Sequence, residues 1–176
     1  EATNVILTST NAYLADSAGI DAGAAYIFEA SSPVPTGRRL LATDLQAGDY
    51  FGYSVALSTT AAVVGAYRRD AEGQDNGGVF LFDRTGDTWG TADGFETLSL
   101  NPPEGVTQNA YFGFDVAAAD GVILVGAMGR PFGGVFAYFG DNADRRVQEL
   151  EMPNGSGTAS RYGFSVAAGA NCLAAT

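Results

Sequence analysis

The chain has 176 residues, 46% of them hydrophobic, enough for a sizeable core, and 20 acidic against 9 basic residues give a net charge of −11. That balance argues against nucleic acid and anionic membrane surfaces, which need clustered Lys and Arg, and makes cations or basic partners the electrostatic complement. With no histidine and one cysteine, Ser-His-Asp and Cys-His chemistry, an ordinary zinc site and an intrachain disulfide are all excluded.

No apolar stretch approaches the ~20 residues of a membrane-spanning helix, so this segment predicts no membrane insertion. Glu1 opens the chain with no basic segment and apolar run behind it, which predicts a processed chain or a window from a longer one. The first recognisable strands are "GAAYIFEA" at 23–30 and "GRRLLATDL" at 37–45, with the polar turn "LADSAGIDAG" at 14–23 ahead of them. A fuller set follows: "FGYSVA" at 51–56, "AAVVGA" at 61–66, "GGVFLF" at 77–82 and "FETLSL" at 95–100. Trp89, in the turn "GDTWG", is predicted to anchor its loop onto the same sheet.

The set then repeats. Phe112-Gly113-Phe114-Asp115-Val116-Ala117 stands 61 residues after its first copy and is followed by "VILVGA" at 122–127, "GGVFAYF" at 133–139 and "RRVQELEM" at 145–152. After the loop "PNGSGTAS", whose Asn154-Gly155-Ser156 is a glycosylation sequon for a secreted eukaryotic chain, Tyr162-Gly163-Phe164-Ser165-Val166-Ala167 opens another copy, 50 residues further on, with "CLAAT" behind it. The length changes fall in loops.

These short runs rich in Val, Phe, Tyr, Ile and Ala, punctuated by glycine and without a helical period, read as all-β. Four short strands per 50 to 60 residues is the sequence form of a β-propeller blade. About three blades are expected, making a partial propeller in a single repeat region: 1–50 a partial blade, 51–111 and 112–161 blades, and 162–176 the start of the next. The motif glycines, Gly52, Gly113, Gly163, Gly65 and Gly126, then permit close backbone approach, and Phe51, Phe112 and Tyr162 fill the wedge between blades. Cys172 reads as a small buried hydrophobe, and Arg38-Arg39 and Arg145-Arg146 as charges that protect sheet edges from unwanted pairing. Asp49, Asp115, Glu149 and Glu151 show no grouping that would make a catalytic acid/base pair.

The stretch "GDYFGYSVALSTTAAVVGAYRRDAEGQDNGGVFLFDR" resembles an FG-GAP repeat, the unit of integrin α propeller heads and many secreted proteins. Phe51-Gly52 and Gly65-Ala66 carry the likeness, with Tyr67 where the family often has Pro; Phe112-Gly113 and Gly126-Ala127, then Met128, repeat it. The third copy opens with Tyr162-Gly163, and the first unit keeps only Asn11-Ala12-Tyr13.

The resemblance implies Ca²⁺ loops of alternating acidic residues around a glycine, since a hard cation takes several oxygen ligands. The candidate in 68–77 is Asp70, Glu72 and Asp75, with Gly73 and Asn76, although Arg68 or Arg69 stands where a further acid is expected. In 14–23 it is Asp16 and Asp21, with Ser17, while 128–134 offers no carboxylate. The same Asp and Gly residues also serve as plain turn formers. The implied function is a non-enzymatic extracellular or cell-surface propeller, with no catalytic residues, that binds protein or glycan in adhesion. The alternatives are a structural subunit of a filament or large surface assembly, meeting copies of itself or other subunits, and an accessory module of a larger secreted enzyme.

Overall fold

The computed structural model describes residues 5–10, 19–29, 37–71, 73–106, 108–129, 133–140, 145–151, 161–169 and 172–176. Asp16, Glu72 and Asn154 lie outside them. Among the described residues every regular element is a strand, and no helix is long and apolar enough to cross a membrane.

The strands form four sheets in chain order. The first holds β1 (Val5–Thr10), β2 (Ala24–Glu29) and β3 (Gly37–Leu40). The second holds β4 (Ser54–Leu57), β5 (Ala61–Ala66), β6 (Gly78–Thr85) and β8 (Leu98–Leu100), with the two-residue β7 (Thr88–Trp89) folded back on the end of β6. The third holds β9 (Phe112–Ala119), β10 (Val122–Ala127), β11 (Val135–Phe139) and β12 (Arg146–Leu150). The fourth holds β13 (Val166–Gly169) and β14 (Cys172–Ala175). All pairs within sheets are antiparallel, each strand bonded to its neighbours in sequence apart from the β6–β8 pair that bypasses β7.

The central strands are apolar throughout because both their faces are covered. Along β5, Ala62, Val64 and Ala66 pack with Ala25, Ile27 and Leu40 of the first sheet, whereas Val63 packs with Phe112, Val125 and Ile123 of the third. Leu124, Val135 and Ala137 in turn meet Val166 of the fourth. The core is therefore a series of layers between stacked sheets, each strand alternating side to side with the two-residue period. Phe51 fills the first layer edge-on to Phe80 at 5.4 Å, and Phe112 fills the second at 5.7 Å from Phe136. Tyr162, half-buried, joins the third.

A backbone clasp ties each sheet to the next. The N–H groups of Gly48, Tyr50 and Phe51 donate to the carbonyls of Ile20, Asp21 and Ala22 at 2.9, 3.0 and 2.8 Å. Those of Asn109, Tyr111 and Phe112 donate to Gln74, Asp75 and Asn76 at 2.8, 3.1 and 2.9 Å. Parallel bridges Gly23–Phe51, Gly77–Phe112 and Gly133–Tyr162 mark the same joint three times. Gly77 has φ 85°, and a Cβ there would collide with the Phe112 carbonyl oxygen, so the joint demands glycine. Gly65 and Gly126 likewise face the Gly113 and Gly163 carbonyls with no room for a side chain.

Trp89 is buried against its own sheet, as expected. Cys172 is exposed on β14, because the small sheet it belongs to leaves that strand uncovered. Arg145 is not an edge charge: its side chain is almost fully buried, donating to the Gly140 carbonyl at 2.6 Å and standing 3.9 Å from Asp83 of the second sheet.

Candidate binding surface

The repeated aromatic-Gly-aromatic motif places two rings in opposite environments. Gly52, Gly113 and Gly163 all adopt left-handed backbone, with φ 88°, 85° and 90°. The reversal sends Phe51 and Phe112 into the core and brings Tyr53 and Phe164 out to solvent, with Phe114 half-buried at the surface between them. Tyr53 is 45% and Phe164 48% exposed, high values for large aromatic residues.

These three rings join into one face. Tyr53 lies 5.2 Å from Phe114, and Phe114 lies 5.3 Å from Phe164, so the row crosses the second, third and fourth sheets. Tyr67 sits at its centre, 4.5 Å from Tyr53, 5.4 Å from Phe114, 5.5 Å from Tyr50 and 5.7 Å from Tyr111. The rings are tilted or edge-to-face, the arrangement their quadrupoles favour. Tyr50 and Tyr111 hold φ of 56° and 54°, a strained region for bulky residues. The clasp hydrogen bonds from their own N–H groups hold them there.

A cation already uses part of this face. The Arg68 guanidinium lies 5.4 Å from the Tyr50 ring centroid and 5.6 Å from that of Tyr67, within cation–π range, while the residue stays exposed. Burial holds the Tyr67 phenol above its usual pKa against the opposing pull of Arg68. Tyr67 and then Asp75 favour the charged form of Arg68. In the third sheet the matching place is Gly129, where a Cβ would collide with the Asn109 carbonyl oxygen and the Tyr111 ring.

Beside the face lies a buried carboxylate. Asp49 is 3% exposed, its Oδ2 accepts the Gln46 N–H at 2.8 Å, and burial raises its pKa, with Arg69 opposing and Asp70 adding to the rise. The repeat-equivalent residue is Ala110, also buried. Its sequence showed an acid without a group; the missing signal was the repeat alignment itself, which puts a charge where the other copy has a methyl group.

Of the residues implied as Ca²⁺ ligands, the described Asp70, Asp75 and Asp21 have other neighbours. Asp70 Oδ1 accepts the Asp75 N–H at 2.8 Å. Asp75, at φ 50°, and Asp21, at φ 58°, occupy equivalent clasp positions, and Asp21 Oδ2 stands 3.5 Å from the Tyr50 hydroxyl. Arg69 donates to Asn101 Oδ1 at 2.9 Å and lies over the Phe80 ring. Asn76 Oδ1 is buried without a hydrogen-bond partner, one oxygen where a Ca²⁺ ion takes six to eight. Among the described residues no group of three or more acidic or Cys side chains gathers as a metal cluster would. The Arg68 charge stands beside Asp75, where it would oppose a second cation.

No curated protein matches the chain. A family model described as FG-GAP repeat matches residues 37–82. The matched stretch runs from β3 through the first aromatic-Gly motif to the buried part of β6, and so contains the Tyr50-Phe51 side of one clasp and the centre of the aromatic face. That match makes residues 37–82 an FG-GAP repeat, and the same motif recurs in register at Phe112-Gly113 and Tyr162-Gly163.

Proposed function

We propose that the chain is a segment of a β-propeller which performs no catalysis and binds a basic segment of a protein partner, on the outside of a cell or in its surroundings, through the aromatic face of Tyr53, Tyr67, Phe114 and Phe164. The observation that carries this reading is the ring row repeated in three consecutive motifs, exposed at Tyr53 and Phe164, since aromatic residues are enriched at protein interfaces and Tyr at their hot spots. A basic partner is favoured because the chain's net charge is −11 and because the face already accepts a guanidinium from Arg68. The tilted rings present edges as well as faces, which suits side chains better than the flat stacking of a sugar. FG-GAP repeats occur generally in extracellular or surface proteins, which supports the location. Four sheets stacked through one recurring joint support the propeller.

The test is a titration of the chain with an Arg-Gly-Gly repeat peptide at about 0.15 M salt, where long-range attraction is screened. Saturable binding that weakens in a Tyr53→Ala, Phe164→Ala double variant, whose charge is unchanged, is the expected result. Equal binding by the double variant would remove the face from the reading.

A further inference from the structure

We propose that Arg68 is an internal cover of the aromatic face: its guanidinium occupies the Tyr50 and Tyr67 ring surfaces that an incoming cation would take, so binding requires its displacement. The inference rests on the reading of the face as a site for a basic partner, and adds the contact that regulates it.

Three observations carry it. Arg68 spans two rings of the face, at 5.4 and 5.6 Å, and Tyr67 is the ring that touches most of the others. The residue is exposed, so its side chain leaves the rings without opening a cavity. The cover is also local to the second sheet, because the matching position in the third is Gly129, which the crowding against Tyr111 keeps free of any side chain. Asp75 nearby further favours the charged form of Arg68.

An exposed cation–π contact is weak, and its removal therefore changes affinity modestly. Against the same Arg-Gly-Gly peptide, Arg68→Ala is expected to bind about two- to fivefold more tightly than the parent chain. Because that variant also makes the chain one charge more acidic, Arg146→Ala serves as the control: Arg146 is exposed on β12, at the opposite edge of the third sheet from β9. It carries the same charge change and is expected to leave affinity unaltered.

Equal or weaker binding by Arg68→Ala overturns the cover, as does equal tightening by Arg146→Ala. Weakening by the Tyr53→Ala, Phe164→Ala pair without tightening by Arg68→Ala would leave the face standing and remove only the role of Arg68. If parent and Arg68→Ala both ignore the peptide, the two ideas fall together.

Discussion

Single residues at the joints carry constraints far larger than their size. At Gly77 a methyl group meets the Phe112 carbonyl oxygen and must also adopt φ 85°, a conformation that costs an L-residue about 1–2 kcal/mol before any clash is counted. Gly77→Ala is thus expected to lose at least about 2 kcal/mol, seen as a lowered denaturation midpoint in urea; an unchanged midpoint would contradict the described clasp. Asp49 imposes a constraint of another kind. Its folded pKa lies above its unfolded value, so the folded state holds the proton more tightly, and the stability present below the unfolded value is lost as pH rises through the folded one. Asp49→Asn keeps an acceptor for Gln46 and removes the charge. It should melt higher than the parent chain near neutral pH, with the gap closing toward about pH 4. A gap independent of pH would deny the burial of the charge as its cause.

At the scale of elements, side chains stitch first strands of neighbouring sheets together. Ser54 Oγ, buried on β4, donates to the Gly113 carbonyl at 2.8 Å, and Asp115 Oδ2 on β9 accepts the Val166 N–H at 2.8 Å. Ser54→Ala leaves that carbonyl buried and unpaired and is expected to cost about 1–3 kcal/mol, measurable as a drop in melting temperature. The central strands were legible from sequence: β5, β6, β10 and β11 fall on "AAVVGA", "GGVFLF", "VILVGA" and "GGVFAYF", because apolar runs bounded by glycine leave little choice of element. The outer strands β3, β8 and β12 are shorter than their sequence runs, since one exposed face weakens both the pattern and the pairing. The β7 pairing within the turn around Trp89 was not legible, because two residues carry no period. The aromatic face was half legible. Tyr53, Phe114 and Phe164 stood in the repeat, but the left-handed glycine that turns them outward, and the meeting of Tyr50, Tyr67 and Tyr111 across 61 residues of chain, are tertiary facts.

At the scale of the molecule, the stacked sheets share cores pairwise, so stability rests on interfaces more than on any one sheet. The loops beside those interfaces meet their charges internally, Arg68 against Asp75 and Arg69 near Asp49. Folding is therefore expected to be independent of Ca²⁺: adding the ion or a chelator should leave the melting temperature in place, whereas an ion at a hundred times its Kd would add about 2.7 kcal/mol. A clear upward shift with Ca²⁺ would overturn this expectation and point to the loop at 68–77 as its site. The matched repeat, 37–82, begins in the outer strand of one sheet and ends in the third strand of the next. A duplication of that length copies a seam and not a panel. Each new copy arrives with one half of the clasp behind it and one half of the clasp ahead, so a chain can lengthen by whole units while its loops drift freely in size.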